Sequence, residues 1–121
     1  MKFAHVGICA LDTRELAAWY VRVLGFQQVS ANSNEPPTIF VASADGAQFE
    51  IYPADSGGTR ADNKVQGLRH LGFATDEIEE WRERLAAEGA EIVDDLRTHP
   101  NGARTLFFGD GEGNLLHFVQ R

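Results

Sequence analysis

Residues 5–26 read HVGICALDTRELAAWYVRVLGF. A similar stretch, HLGFATDEIEEWRERLAAEGAEI, follows later in the chain at residues 70–92. Both stretches begin with His, an aliphatic residue, Gly and a large apolar residue. Each then reaches an aspartate, Asp12 or Asp76, followed three positions later by a glutamate, which is the spacing of a helix capping box. Apolar residues recur at helical intervals after each aspartate. Because these features occur in the same order, they indicate a chain built from two similar halves.

Each predicted helix ends at a glycine, Gly25 or Gly89, suited to the left-handed position that follows a helix. Three short segments with strand character then follow, separated by turn-rich sequence. They are residues 26–31, 38–43 and 48–52 in the first half, and residues 91–96, 104–108 and 114–120 in the second. The pattern predicts an α+β fold in which each half is a βαβββ module with its helix on one face of a four-stranded sheet.

The composition favours one compact, soluble domain. The chain has 121 residues, of which 43% are hydrophobic and 24% charged. We assign the modules to residues 1–54 and 68–121, joined by the polar linker 55–67. The net charge of −7 argues against nucleic acid as a partner, since a phosphate backbone would be repelled. One cysteine excludes an intramolecular disulfide, and no apolar run approaches the ~20 residues of a membrane span. We therefore expect a cytoplasmic protein with neither nucleic-acid nor membrane partners.

Strand alternation places one polar residue of each terminal strand on the sheet face opposite the helix. Large apolar neighbours occupy the other face. The four polar residues are His5, Glu50, His70 and His117. If a pseudo-two-fold axis relates the halves, the two pairs converge on one point. Imidazole nitrogens and a carboxylate suit a divalent Zn, Ni, Fe or Mn ion, so the sequence predicts a metal site.

Other residues share this face by the same alternation. Gln48 and Tyr52 flank Glu50 and are candidate substrate contacts. Cys9 lies on the same face of the first strand and is a third candidate, although we expect it mainly to be a small buried residue. Two further interpretations are structural: the tryptophans pack the core, and the remaining histidine lies in a loop. These are Trp19, Trp81 and His99.

The whole chain resembles the vicinal oxygen chelate superfamily, which includes glyoxalase I, bleomycin and fosfomycin resistance proteins, and extradiol dioxygenases. The matching stretches are the first helical segment quoted above, AQFEIYPA, GLRHLGFAT and FFGDGEGNLLHFVQR. The resemblance implies paired βαβββ modules forming a U-shaped cup, with helices outside and metal at its base. It also implies a homodimer. The cup is formed within one chain or between two chains, since both arrangements occur in the family.

The resemblance also implies a ligand set. Glyoxalase I takes His or Gln, Glu, His and Glu from the corresponding strands; His5, Glu50 and His70 match the first three. His117 stands where Glu is expected, and this departure weakens the assignment to glyoxalase, fosfomycin-type and dioxygenase members alike. The leading hypothesis is a glyoxalase-type isomerase or lyase that acts on a small vicinal-oxygen substrate. Its metal stabilises an enediolate, with Glu50 as general base. The alternatives are an Fe(II)-dependent ring-cleavage dioxygenase and a non-catalytic drug- or metabolite-binding protein.

Overall fold

The computed structural model describes all residues, 1–121, and divides into two compact units. Unit 1 comprises Met1–Gly58 and unit 2 comprises Thr59–Arg121. Unit 1 contains β1 (Val6–Ala10), α1 (Thr13–Leu24), β2 (Gln27–Ala31), β3 (Ile39–Ala42) and β4 (Gln48–Pro53). Unit 2 contains β5 (Leu71–Ala74), α2 (Ile78–Ala87), β6 (Ile92–Thr98), β7 (Arg104–Gly109) and β8 (Leu115–Gln120). The predicted α+β fold with two βαβββ modules is confirmed. Neither helix has the length and apolar character that a membrane span requires.

The two sheets have the same topology. In unit 1 the strand order is β1-β4-β3-β2, and in unit 2 it is β5-β8-β7-β6. The first strand of each unit pairs in parallel with the last, and the other neighbours are antiparallel. The helix of each unit packs against strands of its own sheet. One face of each sheet is thus covered by its helix; we call the opposite one the open face.

Helix α1 begins and ends as its own sequence predicts. The Asp12 side chain accepts a hydrogen bond from the Glu15 backbone N–H at 3.0 Å, so the N-terminal cap is confirmed. Gly25 follows the helix with φ of 74°, the left-handed conformation that favours glycine. Tyr20 and Val23, on the inner face, have no solvent exposure. Local capping and an apolar stripe therefore account for this helix.

Helix α2 begins differently, and the prediction that Asp76 caps it is wrong. The helix starts at Ile78, its cap position is Glu77, and no side chain of that residue caps it. The Ile78 N–H instead donates to Oε1 of Gln120 in β8 at 3.1 Å. An N–H that the local sequence leaves unsatisfied is thus satisfied from a distant strand. Gly89 after this helix has φ of 71°, as the sequence predicts.

Aromatic packing builds much of each core. In unit 1, Trp19 is 8% exposed and lies edge-on to Tyr20. In unit 2, Trp81 stacks on Phe118 with ring centroids 4.7 Å apart. Phe108 also stacks on Phe118, with centroids 5.2 Å apart. The prediction that both tryptophans pack is confirmed. Tyr20 also meets Phe49 of β4 edge-on at 5.4 Å. The contacts of Tyr20 with Phe49 and of Trp81 with Phe118 hold each helix on its sheet and leave the open faces to the polar residues.

Candidate functional site

Strand β4 shows the predicted alternation. Phe49 and Ile51 are buried beneath α1, whereas Glu50 between them is half-buried. Gln48 is half-buried and Tyr52 is 38% exposed, on the face that Glu50 shares. The sheet therefore directs the predicted carboxylate and its two flanking side chains away from the helix.

His5 lies one residue before β1, so it precedes the strand instead of lying within it. Its ring meets the ring of Phe40 edge-on, with centroids 5.6 Å apart and an angle of 82°. Phe40 is the partner of Glu50 in the pairing of β3 with β4. Phe40 on the open face thus contacts the ring of His5 and is the strand neighbour of Glu50.

The first strand of unit 1 supplies space beside these residues. Gly7 is the partner of Glu50 in the pairing of β1 with β4, and a Cβ added to Gly7 would be 3.2 Å from Cε1 of Tyr52. The tyrosine ring therefore leans across the glycine. Cys9, opposite Tyr52, is exposed. The expectation of a buried Cys9 is wrong, because alternation places it on the open face, away from the helix.

In unit 2 the corresponding positions form a cluster of rings. His70 lies one residue before β5, again outside the strand, and its ring centroid is 4.6 Å from that of His117 in β8. Phe107 contacts both, at 5.3 Å from His70 and 4.6 Å from His117. Phe107 and Gly72 are the partners of His117 on the two neighbouring strands. The two predicted ligands of this unit are therefore in direct contact.

The ring of His117 occupies the space above Gly72. A Cβ on Gly72 would lie 2.6 Å from Nε2 of His117, closer than real Cβ atoms approach, so glycine makes room for the ring. Nδ1 of His117 is buried without a hydrogen-bond partner. Burial lowers the pKa of His117 to about 4, with smaller contributions from His70 and Arg121. The ring is therefore neutral at neutral pH, the form in which an imidazole binds a metal.

His70 has a hydrogen-bond partner of its own. Its Nδ1 lies 2.9 Å from Oδ1 of Asn63, seven residues earlier. A side-chain amide oxygen only accepts hydrogen bonds, so this contact is satisfied by the tautomer in which Nδ1 carries the proton and Nε2 has the lone pair. The lone pair is what coordination to a metal ion uses. His70 thus presents one nitrogen suited to a metal.

The four predicted metal ligands form two pairs, one in each unit. The chain contains no group of three or more His, Cys, Asp or Glu side chains that could hold a metal ion. His70 and His117 are in ring contact, whereas His5 contacts Phe40, the strand neighbour of Glu50. The donor types and the unpartnered nitrogen of His117 fit a metal, and the complete four-ligand set stays a prediction.

The sequence reasoning missed three residues of these sites. Phe40 and Phe107 occupy matching positions in the third strand of each unit, between buried aliphatic or aromatic neighbours. Their alternation with those neighbours, repeated in both halves, is a signal that could have found them. Asn63 lies in the linker, where no periodicity marks it. Only the tertiary structure reveals its contact with His70.

The family model of the Glyoxalase/Bleomycin resistance protein/Dioxygenase superfamily matches residues 2–118. The solved glyoxalase family protein from Enterococcus faecalis is 28% identical with a TM-score of 0.82, and the match covers 98% of this chain and 96% of that one. These findings agree with the resemblance found in the sequence.

Two more distant solved structures share the fold. The fosfomycin resistance protein FosX from Listeria monocytogenes is 20% identical with a TM-score of 0.80, covering 100% of this chain and 93% of that one. A lactoylglutathione lyase from Agrobacterium tumefaciens is 20% identical with a TM-score of 0.73, covering 98% and 92%. At such identities the likeness establishes the fold alone.

Proposed function

We propose that this chain, which belongs to the Glyoxalase/Bleomycin resistance protein/Dioxygenase superfamily, is a divalent-metal-dependent enzyme acting on a small substrate with neighbouring oxygen atoms. The observation that carries the proposal is the pair His70 and His117. Their rings are in contact on the open face, His117 is neutral at neutral pH, and its buried Nδ1 has no partner. A polar ring held without a hydrogen bond is costly unless a ligand uses it.

The metal would be held by His5, Glu50, His70 and His117. Three imidazoles and one carboxylate suit Zn, Ni, Fe or Mn. Each unit supplies two of the four donors, and the proposal includes both pairs, contributed by one chain or by two copies in a homodimer. When bound, the metal supplies a Lewis acid that stabilises negative charge on substrate oxygens.

The chain's own residues have separate tasks in an isomerase or lyase reaction of the glyoxalase type. Glu50 is the only carboxylate of the set and accepts the substrate proton. Its half-buried position limits competition from water. Phe40 and Phe107 offer apolar surface beside the donors, and the exposed Tyr52 can donate a hydrogen bond to the substrate. The fold shared with the Agrobacterium lactoylglutathione lyase is compatible with this reaction class.

Metal content tests the proposal. Protein purified without an affinity tag or added metal is analysed for bound elements, alongside His70→Ala and His117→Ala. The matched control is His99→Ala, whose imidazole is hydrogen-bonded to Thr105 and is not one of the proposed ligands. We expect near-stoichiometric metal in the wild type and the control, and its loss in both other variants. Absence of metal in the wild type after reconstitution with divalent ions would overturn the proposal.

A second experiment tests whether the two pairs of ligands in one metal site belong to the same chain or to two copies of the chain. A variant lacking His5 and Glu50 is mixed with one lacking His70 and His117, after partial unfolding and refolding. If the pairs come from two copies, mixed dimers regain up to one complete site, and metal binding returns. If both pairs come from one chain, the mixture stays without metal while the wild type, treated identically, recovers it.

A metal-free binding protein is the second candidate function. The rings of Phe40 and Phe107 give each open face an aromatic surface for a flat organic molecule, and no ready-made group of three metal donors exists in the chain. Ligand binding of equal strength with and without a chelator would favour this candidate.

If the metal bound by the wild type is iron, oxygen uptake with a catechol would favour ring-cleavage dioxygenation over isomerisation.

A further inference from the structure

The segment before His70 is folded by its own hydrogen bonds. The Val65 N–H donates to the Asp62 carbonyl at 3.0 Å, which closes a turn, and the Lys64 N–H donates to Oδ1 of Asp62 at 2.8 Å. Asn63 is the first central residue of this turn. The turn thus fixes the backbone from which the Asn63 side chain reaches His70.

A second set of contacts fixes the backbone between the turn and His70. Gly67 has φ of 125°, a conformation that L side chains rarely adopt. The guanidinium of Arg69 lies in the space that a side chain on Gly67 would fill, and its Nη2 donates to the Gln66 carbonyl at 3.0 Å. The chain therefore folds back between the turn and His70, which brings Asn63 and His70 together across seven residues.

We propose that Asn63 is a positioning residue that holds His70 in the tautomer protonated on Nδ1, so that Nε2 is the metal-binding nitrogen. This inference rests on the proposed metal-dependent function. The hydrogen bond of 2.9 Å to Asn63 fixes one side of the ring, and the edge contact with Phe107 restrains its plane. A partner on the non-ligating nitrogen orients a metal-binding histidine and makes it more basic.

Unit 1 has no equivalent restraint. The ring of His5 also meets a phenylalanine edge-on, but no side-chain acceptor holds its tautomer. His70 is therefore the preset ligand of the proposed site, and Asn63 makes it so. A neutral imidazole without such a partner exchanges between its two tautomers, and binding a metal then has to select one of them.

Three variants separate this role from a general effect on the loop. Asn63→Leu keeps the approximate size of the side chain and removes the acceptor. Asn63→Asp retains an acceptor at the same position. Lys64→Leu alters the other central residue of the turn without touching His70 and is the matched control.

The primary readout needs no metal. Nitrogen-15 NMR of the metal-free protein, at a pH where the histidines are neutral, reports which nitrogen of His70 carries the proton. We expect Nδ1 to be protonated in the wild type, Asn63→Asp and Lys64→Leu, and a mixture of tautomers in Asn63→Leu. Zinc affinity is then measured by competition with a chelator. It should fall about 10- to 100-fold in Asn63→Leu and be retained in Asn63→Asp and Lys64→Leu.

The outcomes distinguish this inference from the function it rests on. An unchanged His70 tautomer and zinc affinity in Asn63→Leu, with zinc still bound by the wild type, would overturn the role of Asn63 and leave the metal site standing. The expected tautomer change without zinc binding by any variant would instead overturn the metal-dependent function. Equal losses of zinc affinity in Asn63→Leu and Lys64→Leu would show that Asn63 acts only through the conformation of the loop and would overturn its positioning role.

Discussion

The two units share a backbone plan and differ in the chemistry of their open faces. In both, the last strand carries the site residue between a glycine on the first strand and a phenylalanine on the third. That residue is Glu50 in unit 1 and His117 in unit 2. Unit 1 thus carries a carboxylate at this position and an exposed histidine before its first strand, whereas unit 2 carries two imidazoles in contact. The repeated fold keeps the position of this residue and changes its charge, so the two open faces differ in the chemistry they offer.

The largest difference expected between the units concerns proton transfer. Glu50→Gln removes the carboxylate but keeps the size of the side chain, and turnover should fall about 10²- to 10⁴-fold because no other residue of the set can accept the proton. Steady-state kinetics and metal analysis are measured together, since the remaining histidines should retain much of the metal.

The matched control for this variant is Glu80→Gln, an exposed glutamate on α2. Its turnover should equal that of the wild type. If Glu50→Gln turns over as fast as the control, Glu50 is not the base and the functional contrast between the units disappears.

Gly7 and Gly72, on the first strand of each unit, differ in how closely a neighbouring ring approaches them. In Gly72→Ala the added Cβ would lie 2.6 Å from the His117 ring, which must move, and the free energy of unfolding should fall by about 1–3 kcal/mol. In Gly7→Ala the contact is 3.2 Å to the exposed ring of Tyr52, which can turn away, so the cost should be below about 1 kcal/mol. Denaturant unfolding of both variants checks this; equal costs would contradict the tighter fit in unit 2.

Lowering the pH should destabilise unit 2 because His117 becomes protonated. Burial lowers its pKa from 6.5 to about 4, so between these pH values the unfolded chain binds more protons there than the folded one. The stability contribution of neutral His117 is therefore present above pH 6.5 and lost as the pH falls towards 4. His117→Gln should flatten the pH dependence of the unfolding free energy in this window. His99→Gln, the control, should not flatten it to the same extent; the same slope in wild type and His117→Gln would contradict the prediction.

The smallest expected difference lies at the helix starts. Asp12→Ala removes the side chain that accepts the Glu15 N–H, and should cost about 1 kcal/mol. Asp76→Ala should change stability by less than about 0.5 kcal/mol, because Asp76 does not cap α2. Denaturant midpoints of the two variants measure the contrast. Equal losses would mean that Asp76 stabilises its helix by a route other than capping.

The fold was largely predictable because its signals are local. Strand alternation correctly places Glu50 and His117 opposite the helices, and the cap of α1 needs only residues three apart. The failures involve contacts between distant residues. Local spacing predicts Asp76 as the cap of α2, but Gln120, 42 positions from Ile78, accepts the N–H of Ile78 at the start of this helix. A buried Cys9 is expected because nothing nearby in the sequence suggests an activated thiolate, whereas its strand position exposes it.

Periodicity and spacing act along the chain, so the amino-acid sequence is enough to predict the repeat, the two βαβββ modules and the four polar candidates. The burial, contacts and hydrogen bonds of those candidates depend on the folded chain. It places the His117 ring over Gly72 and buries Nδ1, and it bonds His70 to Asn63 of the linker. Desolvation, ring contact and tautomer depend on which atoms surround a side chain in space. Those surroundings come from strand pairing and loop folding between residues that no sequence period connects.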